Sequence, residues 1–180
     1  MKIGVLGTGT VGQAIASKLT DLGHTVMMGS RTADNAKAAE WVSKNGALAS
    51  QGTFAQAARF GELIFNCSKG EATLGILEMA GPSNLEGKIL IDISNPLDFS
   101  KGMPPTLSIV NDTSLGEEVQ KMLPGSKVVK TLNTLTAALM VNPSLVNNGD
   151  HDIFLSGNDK ASKEKVRSLL QSFGWSIEHI

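Results

Sequence analysis

The sequence predicts a doubly wound α/β fold, in which helices cover both faces of a mainly parallel sheet. Short apolar runs alternate with segments of helical periodicity from one end of the chain to the other. These apolar runs are continuous rather than alternating, which is typical of strands covered on both faces. A glycine-rich turn also joins the first predicted strand to the first predicted helix. Together these observations predict parallel strands joined by right-handed helical crossovers.

Short apolar segments bounded by turn residues are predicted as strands. The segment 88–93 has the strongest strand pattern, whereas 47–49 and 175–177 are minor candidates. The polar, proline-rich stretch 94–105 is predicted to be irregular. In chain order, the predicted strands cover 2–6, 25–28, 47–49, 63–66, 88–93, 127–132, 153–155 and 175–177.

Helices are predicted where apolar residues recur at helical spacing or where a capping pattern marks a helix start. Apolar residues from Val11 to Leu22 recur in this way and end at Gly23, a typical helix stop. The segments 53–56 and 114–117 are capping boxes, in which two side chains satisfy backbone N–H groups reciprocally. The predicted helices cover 11–22, 33–44, 54–60, 70–80, 114 up to Pro124, 135–141, and a final segment carrying Val166, Leu169, Leu170 and Phe173 on one face.

Length, charge and cysteine content exclude several classes of function. The chain has 180 residues, which suits one domain, and carries 16 Lys and Arg against 17 Asp and Glu. This balance leaves no basic surplus for nucleic acid, and no apolar run approaches the roughly 20 residues that cross a bilayer. The single cysteine cannot form an internal disulfide, and with three scattered histidines it makes a poor metal site. We expect one cytoplasmic domain over 1–180 that binds neither nucleic acid nor membrane nor metal.

The glycine-rich turn predicts a nucleotide site of the Rossmann-like, NAD(P)-binding kind. Its sequence is Gly7-Thr8-Gly9-Thr10-Val11-Gly12, and it follows a predicted strand and opens a predicted helix. With 19 glycines, about one chain in five of this length would contain the three-glycine pattern by chance, so its position after a strand carries the argument. There, Gly7 allows a tight turn, Gly9 lets a pyrophosphate approach the main chain, and Gly12 lets helix and strand pack closely. The amides of residues 8–11 and the helix dipole would face the anion.

The end of the second predicted strand indicates which dinucleotide binds. An NAD site usually carries an acidic residue there, which holds the ribose 2′-hydroxyl. This chain has Ser30, Arg31 and Thr32 instead. Two hydroxyls and a guanidinium would hold a 2′-phosphate through charge-assisted hydrogen bonds, each worth about 1.5–3 kcal/mol. The predicted cofactor is therefore NADP(H), and the alternative is that Arg31 is a solvated loop charge.

Five segments resemble the NADPH-dependent deazaflavin-coenzyme oxidoreductase family, which is named for hydride exchange between NADPH and coenzyme F-420. The similar segments are 7–12, 23–26, 29–31, 91–97 and 129–134, and the similarity in which they lie extends over nearly the whole chain. The fold of that family is also similar to the cytosolic reductase domain of the STEAP metalloreductases.

The resemblance implies roles for individual residues. Thr8, Thr10 and Val11 would contact the pyrophosphate, and Ser30 with Arg31 would contact the 2′-phosphate. The nicotinamide ribose and ring would lie against the loops after the fourth and fifth strands, Cys67-Ser68-Lys69 and Ser94-Asn95-Pro96.

The chain departs from that family in three places. Archaeal members that act on the deazaflavin typically have a histidine in the motif occupied here by 132–134, and Asn133 instead resembles many bacterial members and the metalloreductases. Archaeal members also have a basic residue where Asn35 falls, a role that Lys37 is close enough to fill. The family generally continues past residue 180 with a helical segment that helps shape the acceptor site and a homodimer. The expectation is a shortened chain or a minimal member.

Candidate chemical groups are few. Lys69 has three open interpretations: a contact in the cofactor loop, a solvated charge, or a proton donor. Cys67 is expected to be buried, because a lone cysteine has no resolving partner for redox chemistry. His24 is expected to stabilise the first helix through its dipole, and His151 and His179 are expected at the surface. Asn133 would orient the nicotinamide carboxamide or an acceptor ring, or else cap the turn that follows.

The predicted function is hydride transfer between NADPH and a deazaflavin (coenzyme F-420) or flavin-type acceptor. Such a transfer needs two rings in line and no acid–base residue, so the catalytic residues stay unassigned. One alternative is reduction of a small carbonyl or imine, although that reaction needs a proton donor and the chain has no tyrosine. The other is an NADPH-sensing module without turnover. All three share one cofactor pocket.

Overall fold

A computed structural model describes residues 1–176 and contains a seven-stranded sheet with helices on both faces. The last four residues, with His179 and part of the strand predicted at 175–177, lie outside the described range. The described strands are β1 (Lys2–Leu6), β2 (Thr25–Ser30), β3 (Ala49–Thr53), β4 (Leu63–Asn66), β5 (Ile89–Asp92), β6 (Leu97–Asp98), β7 (Thr106–Leu107), β8 (Lys127–Thr131) and β9 (Leu155–Ser156).

The helices separate these strands along the chain. Short 3₁₀ turns cover Gly46–Leu48, Gly70–Ala72, Pro143–Leu145 and Asn147–Gly149. The α-helices are α1 (Thr10–Asp21), α2 (Ala36–Asn45), α3 (Phe54–Phe60), α4 (Thr73–Ala80), α5 (Pro82–Leu85), α6 (Leu115–Met122), α7 (Ala137–Val141) and α8 (Lys160–Ser172). Among residues 1–176, none of these helices has the length and apolar character that a bilayer span requires.

The sheet order confirms the predicted doubly wound fold. The strands follow the order β3-β2-β1-β4-β5-β8-β9, and every pair is parallel except β8 with the edge strand β9. The chain builds outward from β1 to β3 and then returns to the other side of β1 with β4. This reversal is a topological switch point, and in open α/β sheets ligands bind in the crevice beyond the strand ends at such a point.

Several element boundaries differ from the sequence prediction because local capping decides them. The minor strand predicted at 47–49 exists but lies further along the chain: residues 46–48 form a 3₁₀ turn, and the strand is Ala49–Thr53. Helix α2 starts later than predicted, at Ala36, because the Asn35 side chain accepts a hydrogen bond from the Ala38 amide at 3.1 Å. Asn35 therefore has a structural role in this chain. Both predicted capping boxes are present.

The stretch predicted to be irregular contains a small ribbon. Leu97 and Asp98 pair antiparallel with Leu107 and Thr106, so the segment 97–107 folds back as a separate two-stranded unit. The pattern was too short for sequence analysis to detect, because each strand has only two residues. Near the carboxyl end, residues 175 and 176 are not in a strand.

Two apolar layers hold the helices to the sheet. One layer contains Val5, Ile15 and Phe65 under α1, α2, α7 and α8, and the other contains Leu6 and Leu77 under α3 to α6. Because Val5 and Leu6 point to opposite faces of the same strand, β1 is covered on both sides, as its continuous apolar pattern predicts.

The core prediction concerns Phe65, whose side chain is fully buried in β4. Phe65→Ala is expected to lower the free energy of unfolding by about 3–5 kcal/mol, because it removes buried area and leaves a cavity. Urea denaturation measures this change. Phe154→Ala is the matched control, since Phe154 is 72% exposed, and its expected change is below about 0.5 kcal/mol. Equal losses in the two variants would contradict this core assignment.

Candidate functional site

The glycine turn has the geometry of a phosphate loop. Gly7 has a φ of 125°, and a Cβ atom there would lie 2.8 Å from the Cys67 carbonyl oxygen. A Cβ atom on Gly12 would lie 2.2 Å from the Gly7 carbonyl oxygen, so the start of α1 packs directly on the turn. A Cβ atom on Gly9 would meet nothing within 4 Å. Gly7 and Gly12 are therefore required by the protein's own packing, whereas Gly9 leaves open space for a ligand.

The amino end of α1 has no side-chain cap. Its N-cap residue is Gly9, and no acidic residue lies in its first turn. Side chains cap α2, α3, α6 and α8, whereas α4, α5 and α7 also lack a side-chain cap, so the glycine turn before α1 is what distinguishes its amino end. The exposed amides and the positive end of the helix dipole therefore fit an external anion, which is the property that a pyrophosphate requires.

The turn after β2 carries a cation that can meet a second anionic group. Arg31 and Thr32 are exposed, and Arg31 forms no ion pair with any residue in the range 1–176. Ser30 is only 4% exposed, and its hydroxyl donates to the Thr32 main-chain carbonyl. Its predicted contact with a 2′-phosphate would need that hydroxyl to change partner. The exposed Arg31 guanidinium would meet such a group without giving up an ion pair.

A cleft of about 250 Å³ lies at the switch point, beyond the ends of β4 and β5. It brings together seven residues that were named from the sequence: Val11, Cys67, Ser68, Lys69, Ser94, Asn95 and Asn133. The other glycine-turn residues and 30–32 lie outside this cleft, at the ends of β1 and β2, and Pro96 lines a different cavity. The predicted residues thus form a continuous edge along the carboxyl ends of the strands.

A buried polar row that the sequence analysis missed supports this cleft. Strand register places Asn66, Asp92 and Lys130 side by side on β4, β5 and β8. The Asp92 carboxylate is fully buried, and it accepts hydrogen bonds from Asn66 Nδ2 at 2.8 Å and from Ser94 Oγ at 2.7 Å. Its other oxygen pairs with Lys130 Nζ at 2.8 Å. The carboxylate therefore ties three strand ends together.

The same row orients the two loops of the cleft. Lys130 Nζ also donates to the Ser94 carbonyl, and the Asn66 side-chain oxygen accepts a hydrogen bond from Ser68 Oγ at 2.7 Å. Ser68 and Ser94 each belong to a loop that lines the cleft. The signal in the sequence was a polar residue at the carboxyl end of each of three apolar strands, but only their register shows that these residues meet.

Asn95 and Asn133 form a bridge between the ends of β5 and β8. Asn133 Nδ2 donates to Asn95 Oδ1 at 3.2 Å, and Asn95 Nδ2 donates to the Asn133 carbonyl. The Asn133 side chain therefore bonds across to Asn95 rather than to the turn that follows it. Gly70 brings the neighbouring loop close, because a Cβ atom there would lie 2.0 Å from the Asn95 carbonyl oxygen.

The ionisable groups around the cleft are poorly suited to acid–base catalysis. Burial, followed by the charge of Asp92, raises the pKa of the Cys67 thiol well above its ordinary value, so the thiol is protonated at neutral pH. Cys67 is buried, as predicted. Lys69 and Glu71 also line the cleft, and both are exposed to solvent.

The structure bears on two histidine predictions. His24 lies at the end of α1, where its amide donates to the Leu19 carbonyl at 3.0 Å. Burial, followed by the charge of the chain's amino group, lowers the pKa of His24 and so disfavours the charged ring that the helix dipole would stabilise. The surface position predicted for His151 is wrong for its ring, because both ring nitrogens are buried. Its ring packs edge-on against Trp175, with ring centroids 4.9 Å apart.

Fold and site together define the class of this protein. A parallel sheet with an uncapped glycine turn at its switch point is the architecture of a Rossmann-like dinucleotide-binding protein. Comparisons with known proteins give the family. The family described as "NADP oxidoreductase coenzyme F420-dependent" matches residues 2–96, which is slightly more than half of the chain. The chain belongs to this family, whose members are NADP-dependent oxidoreductases.

Two curated relatives are consistent with this assignment. The F420-dependent NADP reductase of Methanothermobacter marburgensis is 31% identical over 154 residues, which cover 79% of this chain and 67% of that protein. Metalloreductase STEAP3 of Rattus norvegicus is 28% identical over 177 residues, which cover 97% of this chain. The chain spans only 33% of the length of the STEAP3 protein.

Solved structures share the fold. A crystal structure of a candidate F420-dependent NADP reductase from Arthrobacter sp. FB24 is 48% identical, with a TM-score of 0.92, and the match covers 98% of this chain and 82% of that one. The imine reductase of Streptomyces aurantiacus matches with a TM-score of 0.67 at 22% identity, over 96% of this chain and 53% of that one. At that identity the second likeness supports the fold alone.

The site prediction concerns the buried carboxylate. Asp92→Asn is expected to lower the free energy of unfolding by about 3–5 kcal/mol, because it leaves Lys130 partly buried without its counter-charge. Urea denaturation measures the change. Glu40→Gln makes the same chemical change in the exposed Glu40–Lys44 pair and is expected to leave the midpoint unchanged. If Asp92→Asn also unfolds at the wild-type midpoint, the strand-tying role of Asp92 is wrong.

Proposed function

We propose that this protein transfers hydride between NADP(H) and a deazaflavin or flavin-type acceptor, with coenzyme F420 as the first candidate. The observation that carries the proposal is the single line of groups along the strand ends. Arg31, the open turn at Gly9 and the cleft at Cys67 follow one another across β2, β1 and β4. This line suits an extended dinucleotide with an extra phosphate at one end and a reactive ring at the other.

The chain's own residues would bind and orient rather than exchange protons. The amides at the start of α1 would hold the pyrophosphate, and Arg31 would hold the 2′-phosphate. Asn95 and Asn133 offer amide groups to the nicotinamide ring, and the buried row around Asp92 keeps both loops in place. The bound nucleotide supplies the hydride, so placing the two rings in contact accounts for most of the rate.

The nature of the cleft favours a ring acceptor over a simple ketone or imine. Reduction of a carbonyl creates an alkoxide that needs a placed proton donor. Among the described residues that line the cleft, Cys67 is a poor acid, while Lys69 and Glu71 are exposed. The names of two relatives support the same choice, because both are described as F420-dependent NADP reductases. The name of STEAP3 supports a metal-reducing alternative, for which the acceptor would be a ferric chelate.

An acceptor screen tests the proposal. The protein is mixed with NADPH, and loss of absorbance at the reduced-nicotinamide band is followed with coenzyme F420, FMN, a ferric chelate, a small ketone and a cyclic imine in turn. Turnover with F420 or FMN supports the proposal. Faster turnover with the ketone or imine overturns it in favour of a carbonyl or imine reductase. Tight NADPH binding without any turnover overturns it in favour of a sensor.

Gly9→Val is expected to weaken binding of NADPH and NADH equally, by at least about tenfold. Its methyl groups would occupy the open space in which the pyrophosphate lies, a group that both nucleotides share. Isothermal titration calorimetry measures the two affinities. Gly75→Val is the control, because Gly75 also has open space around it but lies on α4, away from the turn. Unchanged affinity in Gly9→Val would place the pyrophosphate elsewhere.

Arg31→Ala is expected to separate the two nucleotides. Loss of a charge-assisted hydrogen bond of about 1.5–3 kcal/mol lowers NADPH affinity by about tenfold to a hundredfold, while NADH affinity changes less than about twofold. The same titrations measure both values. Arg59→Ala, which removes an exposed arginine from the end of α3, should leave both affinities unchanged. Equal losses for NADPH and NADH in Arg31→Ala would overturn the 2′-phosphate assignment.

A further inference from the structure

The glycine turn between β1 and α1 contains backbone N–H groups that the protein itself leaves unused. The N–H groups of Thr8 and Gly9 form no hydrogen bond with any residue in the range 1–176. That of Thr10 has no partner one helix turn earlier, because α1 begins at this residue. By contrast, the Gly7 N–H donates to the Gly29 carbonyl at 3.1 Å, which fixes the entry to the turn. What a ligand meets here therefore depends on where the unused N–H groups point.

Gln13 bonds back to this turn twice. It is the fourth residue of α1, and its backbone N–H donates to the Gly9 carbonyl at 2.9 Å. Its side-chain Nε2 donates to the Thr8 carbonyl at 3.0 Å. The first bond is an ordinary helix bond, which every residue except proline can make at such a position. The second bond needs a side chain with an N–H donor, so it depends on the half-buried glutamine itself.

Fixing a carbonyl also fixes the N–H group of the residue that follows it. A trans peptide unit is planar, and its C=O and N–H bonds point in opposite directions. The bond from Gln13 Nε2 to the Thr8 carbonyl therefore turns the Gly9 N–H away from Gln13. The bond to the Gly9 carbonyl does the same for the Thr10 N–H. Successive N–H groups that point the same way form a concave binding place for an anion.

Neither packing nor secondary structure holds the peptide unit between Thr8 and Gly9. Both residues lie between the end of β1 and the start of α1, so no ladder or helix bond fixes this unit. A Cβ atom on Gly9 would meet nothing within 4 Å, and glycine adopts many backbone conformations at little cost. Among the described residues, the Gln13 side chain makes the one hydrogen bond to this unit. Its loss would leave the unit free to rotate.

We infer that Gln13 is a positioning residue for the nucleotide, and that its side chain holds the Gly9 N–H in the orientation that donates to the pyrophosphate. This inference rests on the proposed binding of NADP(H) and does not depend on the acceptor. A donor that is already oriented need not be ordered when the ligand binds, so less of the interaction free energy is lost. Gln13 itself does not contact the nucleotide in this arrangement.

Gln13→Met tests the inference, because it removes the N–H donor and keeps a long, helix-favouring side chain. We expect the Kd values of NADPH and NADH to rise by the same factor, about threefold to tenfold, since both nucleotides carry the pyrophosphate. Isothermal titration calorimetry measures both values, and thermal melting checks that the variant is folded. Gln171→Met is the matched control, because Gln171 is an exposed glutamine of α8 and its replacement should leave both Kd values unchanged.

A measurement on the nucleotide-free protein separates positioning from a general loosening of α1. Relaxation of ¹⁵N nuclei gives an order parameter for each backbone N–H, and rigid backbone has a value of about 0.85. We expect about this value for Gly9 and Thr10 in the wild type. In Gln13→Met the Gly9 value should fall below about 0.6. The Thr10 N–H should stay rigid, because the backbone N–H at position 13 still bonds to the Gly9 carbonyl.

Gln13→Lys is the second variant. Lysine keeps an N–H donor on a long side chain, and without nucleotide its charge has no phosphate to attract. The Gly9 order parameter is therefore expected to match the wild type. Disorder of Gly9 in this variant as well would overturn the role of the donor. If Gln13→Met does not fold, Gln13→Ala removes the same donor with the most helix-favouring residue.

The outcomes separate this inference from the proposed function. Weaker binding of both nucleotides, together with loss of order at Gly9 but not at Thr10, supports the role of Gln13. Wild-type affinity in folded Gln13→Met overturns it, as does an order parameter that changes equally at both residues or at neither. Nucleotide binding without reduction of F420 or FMN overturns the acceptor proposal alone. A wild-type protein that binds neither NADPH nor NADH overturns both.

Discussion

The buried carboxylate of Asp92 is the interaction on which the arrangement of the site depends. A charge with no solvent exposure is tolerated only when hydrogen bonds and a counter-charge surround it. Asn66, Ser94 and Lys130 supply these, and they come from the ends of three neighbouring strands or the loop that follows. Satisfying one carboxylate therefore brings together the loops that line the cleft.

The proposed pyrophosphate site depends on the opposite condition, since the first backbone N–H groups of α1 have no side-chain partner. The amino end of α1 has no side-chain cap, and Gly9 leaves the space before it open. Several other helices of the chain satisfy their first amides internally. An anion that binds at α1 thus gains hydrogen bonds that the protein does not make itself. The cleft end of the site is therefore built from polar groups that bond to one another, around Asp92. The α1 end would instead bind an anion through backbone N–H groups that have no side-chain partner.

Much of the fold could be predicted because its signals are local. Each capping box lies within four residues, and the strand at 63–66 is bounded by its own turn residues, so neither depends on distant contacts. Other features depend on contacts that no local pattern contains. The ring nitrogens of His151 are buried because Trp175 packs against it, and the ribbon at 97–107 forms from two-residue strands. These were predicted wrongly or missed.

The sequence by itself determined the parallel α/β fold, the position of the glycine turn and the set of residues along the strand ends. Apolar runs, helical spacing and glycine at three positions are properties of short segments, and short segments can be interpreted one at a time. Only the tertiary structure decided that Asn66, Asp92 and Lys130 form one row, that Asn95 bonds to Asn133, and that a second cavity adjoins the cleft. Those facts depend on strand order and register, which bring residues separated by 26 or 38 positions into contact.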